Sequence, residues 1–200
     1  MAKRPSWDEG RCGVDSMDLI GQMIVAMPGL TDPRFDRSVI LICAHSDEGA
    51  MGLIVNKPML DMSFTGLLDQ LRIPRAPTGR DISVHFGGPV ERGRGFVLHS
   101  TDYQGGTATM QIAGSYGMTA TVDVLEALAR GEGPKQALLA LGYAGWGPGQ
   151  LEAEIGRNDW LTSDTDAGLI FAPDDGAKWT RALGRMGISP LTLSAQAGHA

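Results

Sequence analysis

Histidine is the side chain best suited to acid–base chemistry near neutral pH, because its ordinary pKa lies at about 6.5. Two of the four histidines, His45 and His99, end predicted strands, where a side chain can face a cleft. Either one could serve as the acid or base of an enzyme that acts on a small metabolite. For His99, the sequence favours the alternative of an ordinary hydrogen-bonded histidine at a strand edge.

Cys43 and His45 raise the question of a metal site or a nucleophile. They lie two apart on a predicted strand, so we expect both side chains on one face, where His85 or His99 could complete a zinc site. The chain has no CxxC or HxxxH spacing, however, which would support such a site. A Cys–His nucleophile pair would also lack an orienting acid. We therefore predict a core cysteine beside a turn-side histidine, with no metal and no cofactor.

The most distinctive segment is 142–155, which reads GYAGWGPGQLEAEI. Its glycines allow positive φ and close backbone approach, so we predict a tight turn that seats Trp146 against a core and starts a helix at Pro148. Gln150 and Glu152 lie near the start of that helix, where an acidic side chain gains roughly 0.3–1 kcal/mol from the helix dipole. They are also candidates for a cleft, because Trp146 would anchor the loop beside them.

Asn56 closes another predicted strand and precedes Lys57 and Pro58. An asparagine side chain can mimic a backbone turn, and this interpretation is favoured over contact with a ligand. With the residues above, it completes a candidate binding cleft of six residues: His45, Asn56, His99, Trp146, Gln150 and Glu152.

Composition limits the class of protein. The 200 residues carry 17 Lys and Arg against 23 Asp and Glu, a formal charge of −6, so a large phosphate-binding surface is not expected. Lys178, Arg181 and Arg185 form the best basic cluster, at helical spacing, but Asp174 and Asp175 precede them. We predict no strong nucleic-acid binding. The N-terminus lacks the apolar core of a signal peptide and no run is long enough to cross a bilayer, so we expect a cytoplasmic protein with no membrane contact.

Hydrophobic patterning predicts one domain in which strands dominate the first half and helices the second, so the α+β class is favoured. A loop of about five residues at 46–50 joins two strands and favours an antiparallel hairpin. The predicted strands are 19–27, 37–45, 51–56, 82–86, 95–100, 108–113, 160–161 and 168–171. The predicted helices are 63–71 with Ser63 as N-cap, 121–130, 134–141, 150–156 and 174–186.

Three blocks occur in a fixed order: IGQMIVAMPGLTDPRFDRSVILICAHSDEGAMGLIVNKP, FGGPVERGRGFVLHS and LGYAGWGPGQLEAEIGRNDWL. In these blocks the chain resembles the AlgH/YqgE family of bacterial proteins, also called UPF0301, over residues 17–200. The resemblance implies a single α+β domain of coiled, bifurcated, largely antiparallel β-sheets with helices packed on them. Residues 1–16 fall outside the family pattern, and we predict a disordered N-terminal extension there.

The resemblance implies little about activity, since the family's biochemical function is not established and its label of transcriptional regulator has thin support. The residues show no recognisable combination of nucleophile, base and acid, whereas residues suited to turns and core packing are abundant. We therefore expect a non-catalytic binding or scaffolding protein whose partner is a small molecule or a protein, with the oligomeric state open. The alternatives are a small-metabolite enzyme with a cleft histidine and a DNA-binding regulator.

Overall fold

The computed structural model describes residues 18–30, 32–105 and 108–190; the extension predicted over 1–16 lies outside them. The described strands are β1 Met23–Ala26, β2 Val39–Ser46, β3 Gly49–Ile54, β4 Val84–Phe86, β5 Val90–His99, β6 Thr109–Ile112, β7 Tyr116–Thr119, β8 Ala137–Trp146 and β9 Trp160–Ser163. The described helices are α1 Phe64–Gln70, α2 Val122–Arg130, α3 Gln150–Gly156, α4 Ala167–Ile170 and α5 Asp175–Arg185. None of these helices is long and apolar enough to cross a membrane.

The strands form one sheet that forks at β8. Its order is β6-β7-β5-β8-β3-β2-β1-β9, and β4 also pairs with β8. β5 runs along one edge of β8, while β4 and β3 share the other edge, opposite Leu139–Leu141 and Ala144–Trp146 respectively. All pairs are antiparallel except β4 with β8. The predicted single α+β domain, with a bifurcated and largely antiparallel sheet, is confirmed.

The helix predicted over 134–141 is wrong, because residues from Ala137 onward form the central strand β8. Leucine and alanine favour helices, but a strand buried on both faces also reads as a continuous apolar run. β8 continues through Trp146, so the turn predicted around that residue lies after it instead. Helix α3 then begins at Gln150, with Gly149 in the left-handed conformation at the N-cap, and not at Pro148.

The strand predicted over 168–171 is also wrong, because these residues lie in and just after the short helix α4. The Asp166 side chain accepts a hydrogen bond from Gly168 N and caps it. Strand β7 was not predicted, and it lies between β5 and β6, which therefore do not pair directly. The hairpin of β2 and β3 is confirmed, as is the Ser63 cap, whose Oγ lies 3.0 Å from Gly66 N.

Three apolar cores lie on the two faces of the forked sheet, and β8 contacts all of them. Leu138 and Ala140 pack toward α4 and α5, and Leu139 packs toward α1 and α2. Farther along the strand, Ala144 and Trp146 pack with Leu151 of α3. β8 is thus the element on which the three cores converge.

The fork requires backbone to approach backbone without a side chain between. Gly142 has a φ of +73°, and a Cβ built on it would lie 2.5 Å from Gly88 O and 2.8 Å from Val90 O. Gly87 N donates to Leu141 O at 2.9 Å in the same place. Only glycine satisfies both the conformation and the contact at position 142.

Gly142→Ala should therefore lower the free energy of unfolding by roughly 2–5 kcal/mol, through left-handed strain and backbone overpacking. The measurement is urea denaturation followed by tryptophan fluorescence. Gly93→Ala is the matched control, because nothing lies within 4 Å of a Cβ built there, and it should cost about 1 kcal/mol or less. Equal losses in the two variants would contradict a steric role for Gly142.

Candidate functional site

Four of the six candidate cleft residues come together at the start of α3. His45 Nε2 lies 2.6 Å from Glu152 Oε1, and Trp146 ends the neighbouring strand β8. Gln150 Oε1 accepts a hydrogen bond from Gly147 N at 3.0 Å. The Gln150 bond closes the turn between β8 and α3, whereas the His45–Glu152 contact joins β2 to α3.

Glu154, which sequence reasoning had not selected, accepts hydrogen bonds from two members of this group, Trp146 and Gln150. Its Oε2 accepts hydrogen bonds from the indole Nε1 of Trp146 and of Trp160, both at 2.8 Å. Its Oε1 accepts from Gln150 Nε2 at 2.9 Å, and the two indole rings meet edge to face at 6.0 Å. Trp146 is 7% exposed, so its predicted place in a core is confirmed. One carboxylate thus accepts hydrogen bonds from two buried indole N–H groups, which is a structural role.

Asn56 and His99 lie elsewhere. Asn56 Oδ1 accepts from Val39 N and its Nδ2 donates to Arg37 O, both at 2.8 Å, so its side chain bonds backbone 17 and 19 residues away and does not mimic a local turn as favoured from the sequence. His99 is fully buried between Thr119 Oγ1 at 2.9 Å and Ser100 O at 2.8 Å. Burial lowers its pKa. Asn56 and His99 therefore do not converge with His45 and Gln150.

Cys43 and His45 do not share a face, contrary to prediction. A register shift between Ile42 and Ala44 interrupts the alternation of β2, so Cys43 and Ala44 both pack in the core beneath α5. His45 instead meets α3 on the other side. Burial raises the pKa of Cys43 to about 12, so its thiol stays protonated. Among the described residues, no group of three or more His, Cys, Asp or Glu side chains could hold a metal ion.

A second polar group lies between β4 and α5, where the sequence had predicted none. Asp175 Oδ1 lies 3.0 Å from His85 Nε2 and 2.7 Å from Lys178 Nζ. His85 and Lys178 are each 1% exposed. Burial alone would raise the pKa of Asp175, but the hydrogen bonds from His85 and Lys178 outweigh it and hold that pKa below its usual value. Asp175 is therefore ionised at neutral pH.

Lys178 is a structural cation. Besides Asp175, its Nζ donates to Val55 O and Ile170 O, each at 2.8 Å, so all three ammonium protons have acceptors. Burial lowers its pKa and Asp175 partly offsets this. An amine whose donors are all engaged beside a carboxylate is a poor nucleophile. The basic cluster proposed from the sequence is also broken up, because Lys178 is buried and Arg185 pairs with Asp166.

His85 Nδ1 is buried and has no hydrogen-bond partner among the described residues. The imidazole and Lys178 line a cavity of about 210 Å³ between the start of β8, the segment before β4 and the connection from α4 to α5. Its other walls include Arg80, Ser83, Lys135, Leu138, Ile170 and Phe171. Because the Asp175 carboxylate only accepts, the His85 Nε2 carries the proton that is donated to Oδ1.

The sequence holds one signal that could have revealed this site. Asp175 and Lys178 lie three apart on a helix, and Lys178 shares the i, i+4 stripe with Ala182, which faces the core. A lysine on the inner stripe of an amphipathic helix needs a buried partner. Nothing local to His85 indicated that the histidine would meet them, since it lies 90 residues from Asp175.

Glu154→Ala should lower the free energy of unfolding by roughly 2–4 kcal/mol, because it leaves two buried indole N–H groups without acceptors. Glu152→Ala, on the same helix, is the matched control and should cost less, since Glu152 is half-exposed and its removal leaves one histidine nitrogen, not two indoles, without a partner. Urea denaturation of both variants measures the difference. Similar losses would show that the bonds from Glu154 to the two indoles do not contribute the expected stability.

Asp175→Asn should reduce the fall in the free energy of unfolding that accompanies a decrease in pH. A carboxyl with a lowered folded pKa adds stability above its unfolded pKa of about 3.9, and that stability is lost as the pH falls through the folded value. The free energy of unfolding of the variant should therefore change less below about pH 4 than that of the wild type. Asp164→Asn, at an exposed position, is the control and should keep the wild-type slope. Parallel profiles for Asp175→Asn would contradict this role.

Comparison with known proteins bears on the whole chain. The AlgH-like family model matches residues 23–191. A UPF0301 protein of Cereibacter sphaeroides is 67% identical over 184 residues, which cover 92% of this chain and 100% of that protein. A UPF0301 protein of Paracoccus denitrificans is 54% identical over 187 residues, covering 92% of this chain and 98% of its own.

Two solved structures share the fold. The solution structure of the AlgH protein from Pseudomonas aeruginosa, itself UPF0301, has a TM-score of 0.73 at 37% identity and covers 94% of this chain and 100% of that one. A crystal structure of a Corynebacterium diphtheriae protein has a TM-score of 0.69 at 23% identity over 90% and 93% of the two chains, a likeness of fold alone. The resemblance seen in the three sequence blocks is thereby confirmed, and the chain belongs to the AlgH-like, UPF0301 family.

Proposed function

We propose that this protein is a binding protein for a small polar ligand, and that its site is the cavity beside His85. The observation that carries the proposal is the Nδ1 atom of His85, a buried nitrogen with no partner among the described residues, on a side chain that lines the cavity. Leaving a buried polar atom unpaired costs about 1–3 kcal/mol, so such atoms are expected to meet a partner. A polar ligand in the cavity that reached this atom would supply one.

The size of the cavity supports a small ligand. An apolar cavity of about 150 Å³ holds benzene, so about 210 Å³ accommodates a molecule of a few heavy atoms more. A wider and more open cavity of about 370 Å³ lies on the other face of β4, where Met59, Met62 and Phe64 line it. In the described part of the chain, the two buried side-chain atoms without partners are Ser38 Oγ and His85 Nδ1, and neither residue lines that wider cavity.

An enzyme is the second candidate, now with a different histidine. Asp175 orients His85 through Nε2, and general acid–base catalysis uses a histidine oriented in this way. Lys178 is fully engaged and Cys43 lies in the core, so neither is available as a nucleophile beside it. We therefore rank binding above catalysis.

Direct DNA binding has weaker support. The cluster of Lys178, Arg181 and Arg185 would have to contact phosphates from one helix face, but Lys178 is 1% exposed and Arg185 pairs with Asp166. We infer that a regulator role, where it exists in the family, does not use this helix as a recognition helix.

The test is a titration of ¹⁵N-labelled protein with acetamide, imidazole and 1,2-propanediol, followed by amide and imidazole NMR spectra. We expect at least one probe to shift the His85 imidazole signals and the amides of Ser83, Leu138 and Ile170 together. His85→Phe should abolish these shifts while keeping the folded spectrum. His45→Gln, at a histidine away from the cavity, should retain them. Probes that move no resonance around His85, or that act equally on His85→Phe, would overturn the proposal.

A further inference from the structure

We infer that the segment connecting β5 to β6 is closed at neutral pH and opens locally in mild acid, with His99 as the titrating group. This connecting segment is residues 100–109, all of which the structure describes except 106 and 107. The inference goes beyond the proposed binding function and does not depend on it, since His99 does not line the cavity beside His85.

His99 is fully buried, and both of its ring nitrogens have hydrogen-bond partners. Nδ1 lies 2.8 Å from Ser100 O, and Nε2 lies 2.9 Å from Thr119 Oγ1. Thr119 Oγ1 lies 2.7 Å from Thr109 Oγ1, which in turn accepts from Gly105 N at 3.2 Å. These four hydrogen bonds form one continuous chain that joins the connecting segment to the ends of β5 and β7.

For a neutral imidazole, the direction of every bond in this chain is fixed. The carbonyl oxygen of Ser100 only accepts, so Nδ1 carries the ring proton and Nε2 accepts from the Thr119 hydroxyl. The oxygen of Thr119 then accepts from the Thr109 hydroxyl. The oxygen of Thr109 accepts from the Gly105 N–H, which only donates. Each of the four contacts thus contains one proton.

A positively charged His99 does not fit this chain, because it adds a fifth proton to four contacts. Its Nε2–H would face the Thr119 hydroxyl, whose own proton would have to turn toward Thr109. The Thr109 hydroxyl would then lose its acceptor. Burial also disfavours the charge and lowers the pKa of His99, an effect that the bond to Ser100 O and the nearby Asp102 carboxylate only partly offset.

The groups that face His99 keep their own charge states in mild acid. Asp102 accepts from the Ser100 hydroxyl, which holds its pKa below the usual value, so it stays ionised. Burial raises the pKa of Tyr103, so the phenol stays neutral, while Asp123 and Arg130 act on it from α2. The residues opposite His99 on β7 and β8 carry no charge: Gly117 and Ala137.

The connecting segment can open without unfolding the rest of the sheet. β6, which follows it, is the terminal strand of the described sheet, with β7 as its neighbour. None of the described residues of the segment is fully buried, so opening exposes little apolar surface. Tyr103 packs edge to face against His99 at 5.4 Å between ring centroids. Its release would bring the imidazole into water, where the ordinary pKa is about 6.5.

Acid therefore favours the open form. The closed form has the lower pKa at His99, so its stability is complete above about pH 6.5 and is lost as the pH falls below that value toward the lowered one. The equilibrium constant for opening can rise at most about tenfold per pH unit. We expect a rise of roughly threefold to tenfold between about pH 7.5 and about pH 5.5.

Imidazole ¹H–¹⁵N NMR spectra of the full-length wild-type protein at about pH 7.5 test the order of the protons. We expect a neutral His99 ring with the proton on Nδ1 and none on Nε2. The opposite tautomer, or a charged ring at this pH, would overturn the inference.

Hydrogen exchange measured by NMR at the two pH values tests the opening itself, after correction for the intrinsic exchange rate of each amide. Protection of the Ser100 and Gly105 amides, which bond Gln136 O and Thr109 Oγ1, should fall roughly threefold to tenfold at the lower pH. The Ile54 amide, which bonds Gly87 O in another part of the sheet, should keep its protection. Unchanged protection at Ser100 and Gly105, or an equal fall at Ile54, would contradict local opening.

His99→Gln assigns the pH dependence to the imidazole. The glutamine side chain does not titrate, and its carbonyl oxygen can accept from the Thr119 hydroxyl as Nε2 does, so protection at Ser100 and Gly105 should change less than about twofold between the two pH values. His45→Gln is the matched control and should respond as the wild type does. A wild-type response in His99→Gln would show that another group titrates. The two wild-type measurements decide the inference even where His99→Gln does not fold.

Discussion

The buried ammonium group of Lys178 is the interaction on which this structure depends most. Removing an ammonium from water costs several kcal/mol unless every proton finds an acceptor. Here the acceptors come from three places: the chain just after β3, the end of α4 and the first turn of α5. The same charge therefore fixes three elements, and it places Trp179, whose Nε1 donates to Ala26 O at 2.8 Å, against β1. Packing alone could not set these polar positions.

That interaction also creates the candidate site. Asp175 accepts from both Lys178 and His85, so the carboxylate that balances the structural cation is the one that orients the imidazole. The stability of the fold and the chemistry of the cavity thus share one side chain. On the opposite face of the sheet, one carboxylate again accepts from two donors, because Glu154 accepts from the indoles of Trp146 and Trp160. Those bonds leave no polar atom of Trp146 or Trp160 unpaired.

Much of the fold could be predicted from the sequence, because the first three strands, the β2–β3 hairpin and α2 have clear periodicity or turn signals. It failed at β8, where an alanine- and leucine-rich run fits a helix and a doubly buried strand equally well. The site was harder, because its contacts join residues far apart: His85 meets Asp175 across 90 positions, and Lys178 meets Val55 across 123. Only the spacing of Asp175 and Lys178 is local. Four candidate cleft residues did come together: Trp146 and Gln150 bind Glu154, and His45 and Glu152 bind each other.

The position of β8 has a consequence for how the protein is made. During translation β3, β4 and β5 all leave the ribosome before residues 137–146 exist, and each lacks the neighbour that β8 later provides. Such non-local pairing slows folding, and open strand edges invite association with other chains. The nascent chain must therefore keep several β-edges apart until Trp146 reaches Ala50. A messenger truncated before Ala137 would release a product that carries those open edges permanently, so incomplete synthesis of this protein is an aggregation hazard.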